Sequence, residues 1–306
     1  MNVLVTGGTG FLGRHLVRAL RDGGHDVDWS DGRYDLRDAN VANSLMKRKH
    51  WDVVYHMAAR VGGIGYNRRY PADLWRDNLL MGINVLEACR QAEVLKLVMV
   101  GTACSYPKRP RTIPFVEEEL YDGYPEETNA AYGIAKRALI AGAAAYRQQY
   151  GLNVVTAIPT NLYGPGDNFD PESSHVIPAI MRKFEAGKAE GCAIVKLWGT
   201  GSATRDFLYA PDCAAALLKM AGYDGSAGPL NLGSGREVSI SDLAEIMRGV
   251  VGYRGVVTWD GASPSGQPRR VLGEVKARVY LGWVAETPLE EGLKKMYDWW
   301  VLQAHV

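Results

Sequence analysis

Tyr132 and Lys136 stand four residues apart in the string Tyr-Gly-Ile-Ala-Lys, at the start of a stretch with helical periodicity. Four residues is about one helical turn, so the two side chains share a face. A free tyrosine titrates at about 10, and a neighbouring ammonium stabilises its phenolate. A hydroxyl from another element, Thr102, is available to position a substrate oxygen. Such a group suits proton transfer to a carbonyl oxygen while a hydride moves from a nicotinamide to its carbon.

The turn Thr6-Gly7-Gly8-Thr9-Gly10-Phe11-Leu12-Gly13 supplies the matching cofactor signal. It contains G-x-G-x-x-G (Gly8, Gly10, Gly13) and G-x-x-G-x-x-G (Gly7, Gly10, Gly13). Glycines there let the backbone approach a pyrophosphate, whose charge sits at the positive end of the following helix. Asp31 lies about 20 residues further on, where a carboxylate accepts hydrogen bonds from the adenosine ribose and repels a 2′-phosphate. NAD is therefore the preferred cofactor. Arg33, two residues on, is placed to contact a 2′-phosphate and keeps NADP as the alternative. Asp35 and Leu36 lie where an adenine-edge contact is expected.

The elements that position these groups alternate. Apolar runs predict strands at Asn2–Thr6, 26–29, 53–57, 95–100 and 154–158; helical spacing predicts Phe11–Asp22, 74–92 and 131–150. Such alternation implies an α/β fold, a Rossmann-type doubly wound parallel sheet with helices on both faces. After about Thr160 the segments shorten and loops rich in Gly, Pro and Asp appear. The expected division is a dinucleotide-binding domain over 1–160 and a smaller α/β, mainly substrate-binding domain over 161–306, with later segments returning to the first.

Composition removes several other classes. Lys plus Arg is 35 and Asp plus Glu is 34, a net charge of +1, so no basic surplus marks a nucleic-acid binder. No apolar run approaches membrane-spanning length and the N-terminus lacks a signal peptide's basic region. Cys89, Cys104, Cys192 and Cys213 form no CxxC pair, so neither a metal site nor a disulfide framework is expected, and a reducing cytoplasm is the simplest compartment.

The strings TGGTGFLG (6–13) and HMAA (56–59), with Thr102 and the Tyr132–Lys136 pair, resemble the extended short-chain dehydrogenase/reductase family. Within it, RVGGI (60–64), GTACSYPK (101–108), PTNLYGPGDNF (159–169), SHVIPAIMRKF (174–184) and LWGTGSATRDFL (197–208) are similar to the GDP-L-fucose synthase branch. That branch epimerises a 4-keto-6-deoxy-mannose nucleotide at carbons 3 and 5, then reduces carbon 4. The resemblance implies a redox triad of Thr102, Tyr132 and Lys136, and an acid/base pair of Cys104 and His175. It implies substrate contacts from Asn161, Lys183, Trp198 and Arg205. It also implies cofactor contacts from Gly7, Gly10, Phe11, Leu12, Gly13, Ala58, Ala59, Lys136 and Pro159. A GDP-linked sugar substrate and a homodimer, built from the helices at 74–92 and 131–150, are further implications.

The sequence departs from that branch in three places. Its usual GxRGxxG turn is GGTGFLG here, its usual arginine after the second strand is Asp31, and its usual serine is Thr102. The first two remove 2′-phosphate contacts and bring the net reduction into question. The alternative reading is an NAD-retaining 4-epimerase of an NDP-hexose or NDP-heptose. A non-catalytic cofactor-binding regulator would be expected to break the Tyr–Lys pair, which is intact. A reductase of free small carbonyl compounds is disfavoured by the Arg and Lys residues of the second region, which suit a diphosphate.

Overall fold

Val3, Leu4 and Val5 are completely buried, so the first strand is covered on both faces, as a strand inside a parallel sheet must be. In the computed structural model, which describes residues 1–262 and 266–304, the chain runs β1 (Asn2–Thr6), α1 (Phe11–Asp22), β2 (Asp26–Ser30), α2 (Ala39–Met46), β3 (Val53–His56), α3 (Ile64–Arg69), α4 (Pro71–Gln91), β4 (Leu97–Val100), α5 (Ala130–Tyr150) and β5 (Val154–Pro159). It continues through β6 (Asn161–Tyr163), α6 (Val176–Ala189), β7 (Ile194–Trp198), β8 (Thr204–Tyr209), α7 (Ala210–Met220), β9 (Leu230–Leu232), β10 (Glu237–Ser239), α8 (Ile240–Val251), β11 (Val256–Asp260), β12 (Arg269–Arg270), α9 (Val275–Leu281) and α10 (Leu289–Ala304).

The main sheet has the order β2-β1-β3-β4-β5-β9, with every pair parallel. One face is covered by α1 and α7, through Leu16, Leu20, Leu217 and Met220. The other is covered by α2, α4 and α5, through Leu45, Val85, Leu86 and Leu139. Each fully buried leucine contributes roughly 1.5–3 kcal/mol by leaving water. The sheet is therefore doubly wound. Its strand order reverses between β1 and β3, which opens a crevice at their carboxyl ends.

Local rules account for the helix limits. α5 stops at Gly151, whose φ of 67° is left-handed. α4 starts at Pro71, a turn earlier than its apolar spacing predicts, because proline's fixed φ suits the first turn while Ala72 and Asp73 carry no large apolar side chain to mark the period. α2 spans only eight residues, too short for a periodicity signal, and Asp38 caps it by accepting from the Asn40 amide. β4 begins at Leu97, two residues later than expected, and Leu95 is exposed.

Beyond β5 the chain leaves this sheet and returns to it twice. α7 packs on α1, and β9 pairs with β5. The intervening strands build a second group around β8, which pairs with β6, β10 and β12, beside a two-stranded β7–β11 pair. α6, α8 and α10 enclose a separate core with Phe184, Met247 and Met296 at its centre.

Candidate active site

A cavity of about 1040 Å³ opens along the carboxyl ends of β1, β3, β4 and β5 and continues toward β7, β8 and α6. Its floor is the glycine turn. Gly7 has φ of 69°, and a Cβ there would lie 2.9 Å from the Ala58 backbone. A Cβ on Gly13 would lie 2.1 Å from the Gly7 carbonyl oxygen. Gly10 donates its amide to that same oxygen at 3.0 Å. Gly7, Gly10 and Gly13 line the cavity; Gly8 does not, and is kept small by packing, since its Cβ would lie 2.4 Å from Trp29. The G-x-x-G-x-x-G register is thus the one that faces the cavity. A floor without side chains, leading into the first turn of α1, fits the pyrophosphate of a dinucleotide.

Phe11, Leu12, Ala58, Ala59 and Pro159 line the walls around this floor, and Asp31, Asp35 and Leu36 line one end. Arg33 does not line the cavity. Its guanidinium folds onto Asp31 and holds that carboxyl below its usual range.

Thr102 follows β4, and its Oγ1 accepts from the Cys104 amide at 3.2 Å, which starts a single 3-10 turn over Ala103–Ser105. Tyr132 comes from the first turn of α5 and lines the same cavity as Thr102. Lys136, one turn on, donates to the Val100 carbonyl at 2.9 Å. Burial raises the phenol, and burial pushes Lys136 down to about 8. Both groups sit deep in protein, where the charged form of each loses its water.

Cys104 and His175 enter the same cavity from different elements. Cys104 lies on the 3-10 turn, and His175 is the N-cap of α6. His175 is exposed along the cavity, and partial loss of water to the protein around it, with the nearby Arg270 charge, holds it below its ordinary value.

Lys183 donates to the Lys196 carbonyl at 2.9 Å and stands 5.7 Å over the ring of Trp198, which is 63% exposed at the cavity mouth. Arg205 is buried on β8, and burial together with Arg270 pushes it down to about 9. Asn161 lines the cavity while its amide donates to the Asp206 carbonyl at 2.8 Å, tying β6 to β8.

The structure adds residues that motif reading did not single out. Arg270 and Gln267 line the cavity beside Cys104. Asn67 and Asn129 join α3 to the start of α5 through a 2.8 Å hydrogen bond. Arg60 holds the buried Asp77 at 2.9 Å and the Tyr66 hydroxyl at 2.8 Å. Spacing gave no signal for any of these pairings; only the RVGGI string containing Arg60 was conspicuous. Among the described residues, no group of three or more His, Cys, Asp or Glu side chains could hold a metal ion, and no helix is long and apolar enough to cross a membrane.

Residues 3–233 match the NAD dependent epimerase/dehydratase family. The chain is 42% identical over 298 residues to a GDP-L-fucose synthase of Sinorhizobium fredii, covering 97% of this chain and 94% of that one. Its fold superposes on a GDP-6-OMe-4-keto-L-xylo-heptose reductase of C. jejuni with a TM-score of 0.92 and 26% identity, over 99% and 98% of the two chains. It also superposes on a GDP-L-fucose synthetase of Naegleria fowleri bound to NADP, with a TM-score of 0.89 and 28% identity, over 100% and 95%.

Proposed function

We propose, for a chain that belongs to the NAD dependent epimerase/dehydratase family, that it inverts the carbons flanking the ketone of a GDP-linked 4-keto sugar and reduces carbon 4. The observation that carries this is the opening of Thr102, Tyr132, Lys136, Cys104 and His175 onto one cavity. A triad alone serves oxidation and reduction; a thiol and an imidazole beside it serve proton exchange at carbon. The GDP-linked substrate is supported by the names of the relatives above.

Gly7, Gly10, Gly13, Phe11 and Leu12 would hold the dinucleotide's pyrophosphate, Asp31, Asp35 and Leu36 its adenosine, and Ala58, Ala59, Lys136 and Pro159 the remaining walls. When bound, that cofactor supplies or accepts a hydride. Tyr132 gives its proton to the carbon 4 oxygen, which Thr102 orients. The Lys136 charge favours the phenolate that remains. A carbonyl at carbon 4 acidifies the hydrogens at carbons 3 and 5, and Cys104 and His175 remove and return protons there through an enolate. Lys183 and Arg205 provide the positive charge for a diphosphate, and Trp198 an exposed aromatic face.

NAD is the cofactor we favour, because Asp31 lines the ribose end of the cavity while Arg33 lies outside it. A cytoplasmic location rests on four free cysteines. A homodimer rests on the exposed Trp75, Leu80 and Ile83 of α4, which packs against α5.

The test uses purified protein with GDP-4-keto-6-deoxymannose. One reduced cofactor consumed per product, with solvent deuterium at carbons 3 and 5, is the expected result. A second reading, supported by Asp31, is an NAD-retaining 4-epimerase. Turnover of a GDP-hexose with no added nucleotide, and none of the keto sugar, would replace the first reading with this one.

A further inference from the structure

We propose that Arg270 is the positioning residue of the Cys104–His175 pair, its guanidinium aiming and activating the Cys104 sulfur while keeping a fixed positive charge beside the imidazole. The proposal rests on the reading above, in which those two groups move protons.

Arg270 Nη1 lies 3.4 Å from Cys104 Sγ. The guanidinium is not free to wander. Its Nε donates to Gln267 Oε1 at 3.0 Å. Gln267 is itself buried and anchored, donating to the carbonyls of Pro107 at 3.2 Å and Lys108 at 2.8 Å. Those carbonyls belong to the segment that follows the Cys104 turn. One side chain thus fixes the guanidinium to the stretch of chain that carries the thiol. Arg270 is 7% exposed, so its charge is poorly screened by water.

The charges around it point the same way. On the parallel β8–β12 pair, Arg270 stands in register with Arg205, placing two buried guanidiniums side by side. Each opposes the other, and the repulsion helps push Arg205 down. His175 from α6 feels the same Arg270 charge, which disfavours its imidazolium. Tyr132 from α5 is neutral because burial raises it, and Glu126 acts on Arg205 as a remote negative charge. The sulfur of Cys104 is the acceptor this guanidinium reaches: a thiolate accepts a charge-assisted N–H bond that a thiol accepts weakly. A thiolate is also the form that takes a proton from carbon or attacks an alkylating agent.

Alkylation reads this without any sugar substrate. The full chain is used in a Cys192→Ser background, which leaves Cys104 as the accessible thiol, since Cys89 and Cys213 are buried. Iodoacetamide labelling of Cys104 is followed by peptide mass, and His175 by the NMR titration of its ring protons. Arg270→Gln is expected to slow labelling at pH 7 about tenfold and let His175 keep its proton to higher pH. Arg270→Lys, which retains the charge, is expected to fall between wild type and Arg270→Gln. Should Arg270→Gln not fold, Gln267→Leu, which releases the guanidinium from its anchor, is expected to slow labelling about threefold. Labelling unchanged in Arg270→Gln, or in Gln267→Leu where that variant stands in, overturns the proposal. If GDP affinity falls at the same time, Arg270 is a ligand of the substrate's phosphates instead. Wild-type protein that turns over no GDP-sugar would defeat the functional reading and leave the labelling result interpretable.

Discussion

Arg33 closes on Asp31 through one edge of its guanidinium: Nε lies 3.0 Å from both carboxylate oxygens, and Nη2 lies 2.8 Å from Oδ2. The carboxylate faces the cavity while the arginine stands 84% exposed outside it. The NAD preference proposed above rests on this pair, in which both signs are present and one is held by the other. Asp31→Ala removes the repulsion toward a 2′-phosphate and frees Arg33 to meet it. We expect the ratio of kcat/KM for NADPH over NADH to rise about tenfold or more. Arg33→Ala should move the ratio the other way. Initial rates with the two cofactors decide it; a ratio indifferent to Asp31 would remove this residue from cofactor choice.

Tyr132 and Cys104 should separate the two halves of the chemistry. Tyr132→Phe is expected to cut reduction by about 10²–10⁴ while leaving solvent deuterium exchange beside the ketone. Cys104→Ser should suppress exchange and leave reduction by the Thr102–Tyr132–Lys136 group in place. Mass spectrometry of the recovered sugar nucleotide measures exchange, and cofactor absorbance measures reduction. Equal loss of both in Tyr132→Phe would contradict a division of labour.

Lys136 sets a pH dependence of definite sign. Burial brings its folded-state value down to about 8, below the roughly 10.4 of an unfolded chain. Between those values the unfolded chain binds more protons, so this group's contribution to stability rises with pH there and is flat below about 8. Lys136→Met escapes the cost of a buried charge. It should melt higher than wild type at pH 7, and the gap should narrow from pH 8 to pH 10. Reduction should decline over the same rise, as the ammonium is lost. Melting curves across that range test the first part; a gap independent of pH would place Lys136 in water.

Gly13→Ala places a methyl 2.1 Å from the Gly7 carbonyl, a backbone atom with nowhere to move. We expect a stability loss of about 1–3 kcal/mol and at least tenfold weaker nucleotide binding. Gly24→Ala is a control on the same helix–turn segment, with open space around it but a φ of 75°. It should lose stability without losing affinity. Calorimetric titration with reduced cofactor distinguishes the two.

Ile83 is 49% exposed on α4, which also exposes Leu80 and Trp75. Ile83→Glu should convert a dimer to a monomer, read by light scattering behind size exclusion. A wild-type chain that is already a monomer would remove the homodimer from the proposal.

Much of the fold was legible because its signals are local. A completely buried strand reads as an apolar run, and Gly151 ends α5 by its own backbone preference. Gly7 and Gly13 declare a turn with no room for a side chain, and Tyr132 and Lys136 share a face by helical spacing alone. The eight residues of α2 and the first turn of α4 escaped because short or polar segments carry no period to detect.

Amino-acid order therefore determined the parallel sheet, the glycine turn and which side chains are candidates for the chemistry. Tertiary structure decided how those side chains are charged and held. Arg270 meets Cys104 across 166 positions of sequence, only because β12 lies beside β8 next to the turn after β4. Lys136 turns to the Val100 carbonyl, and Gly8 is confined by Trp29 and not by a cofactor. Local preferences act over a few bonds, whereas desolvation and ion pairing depend on everything that packing brings within a few ångströms.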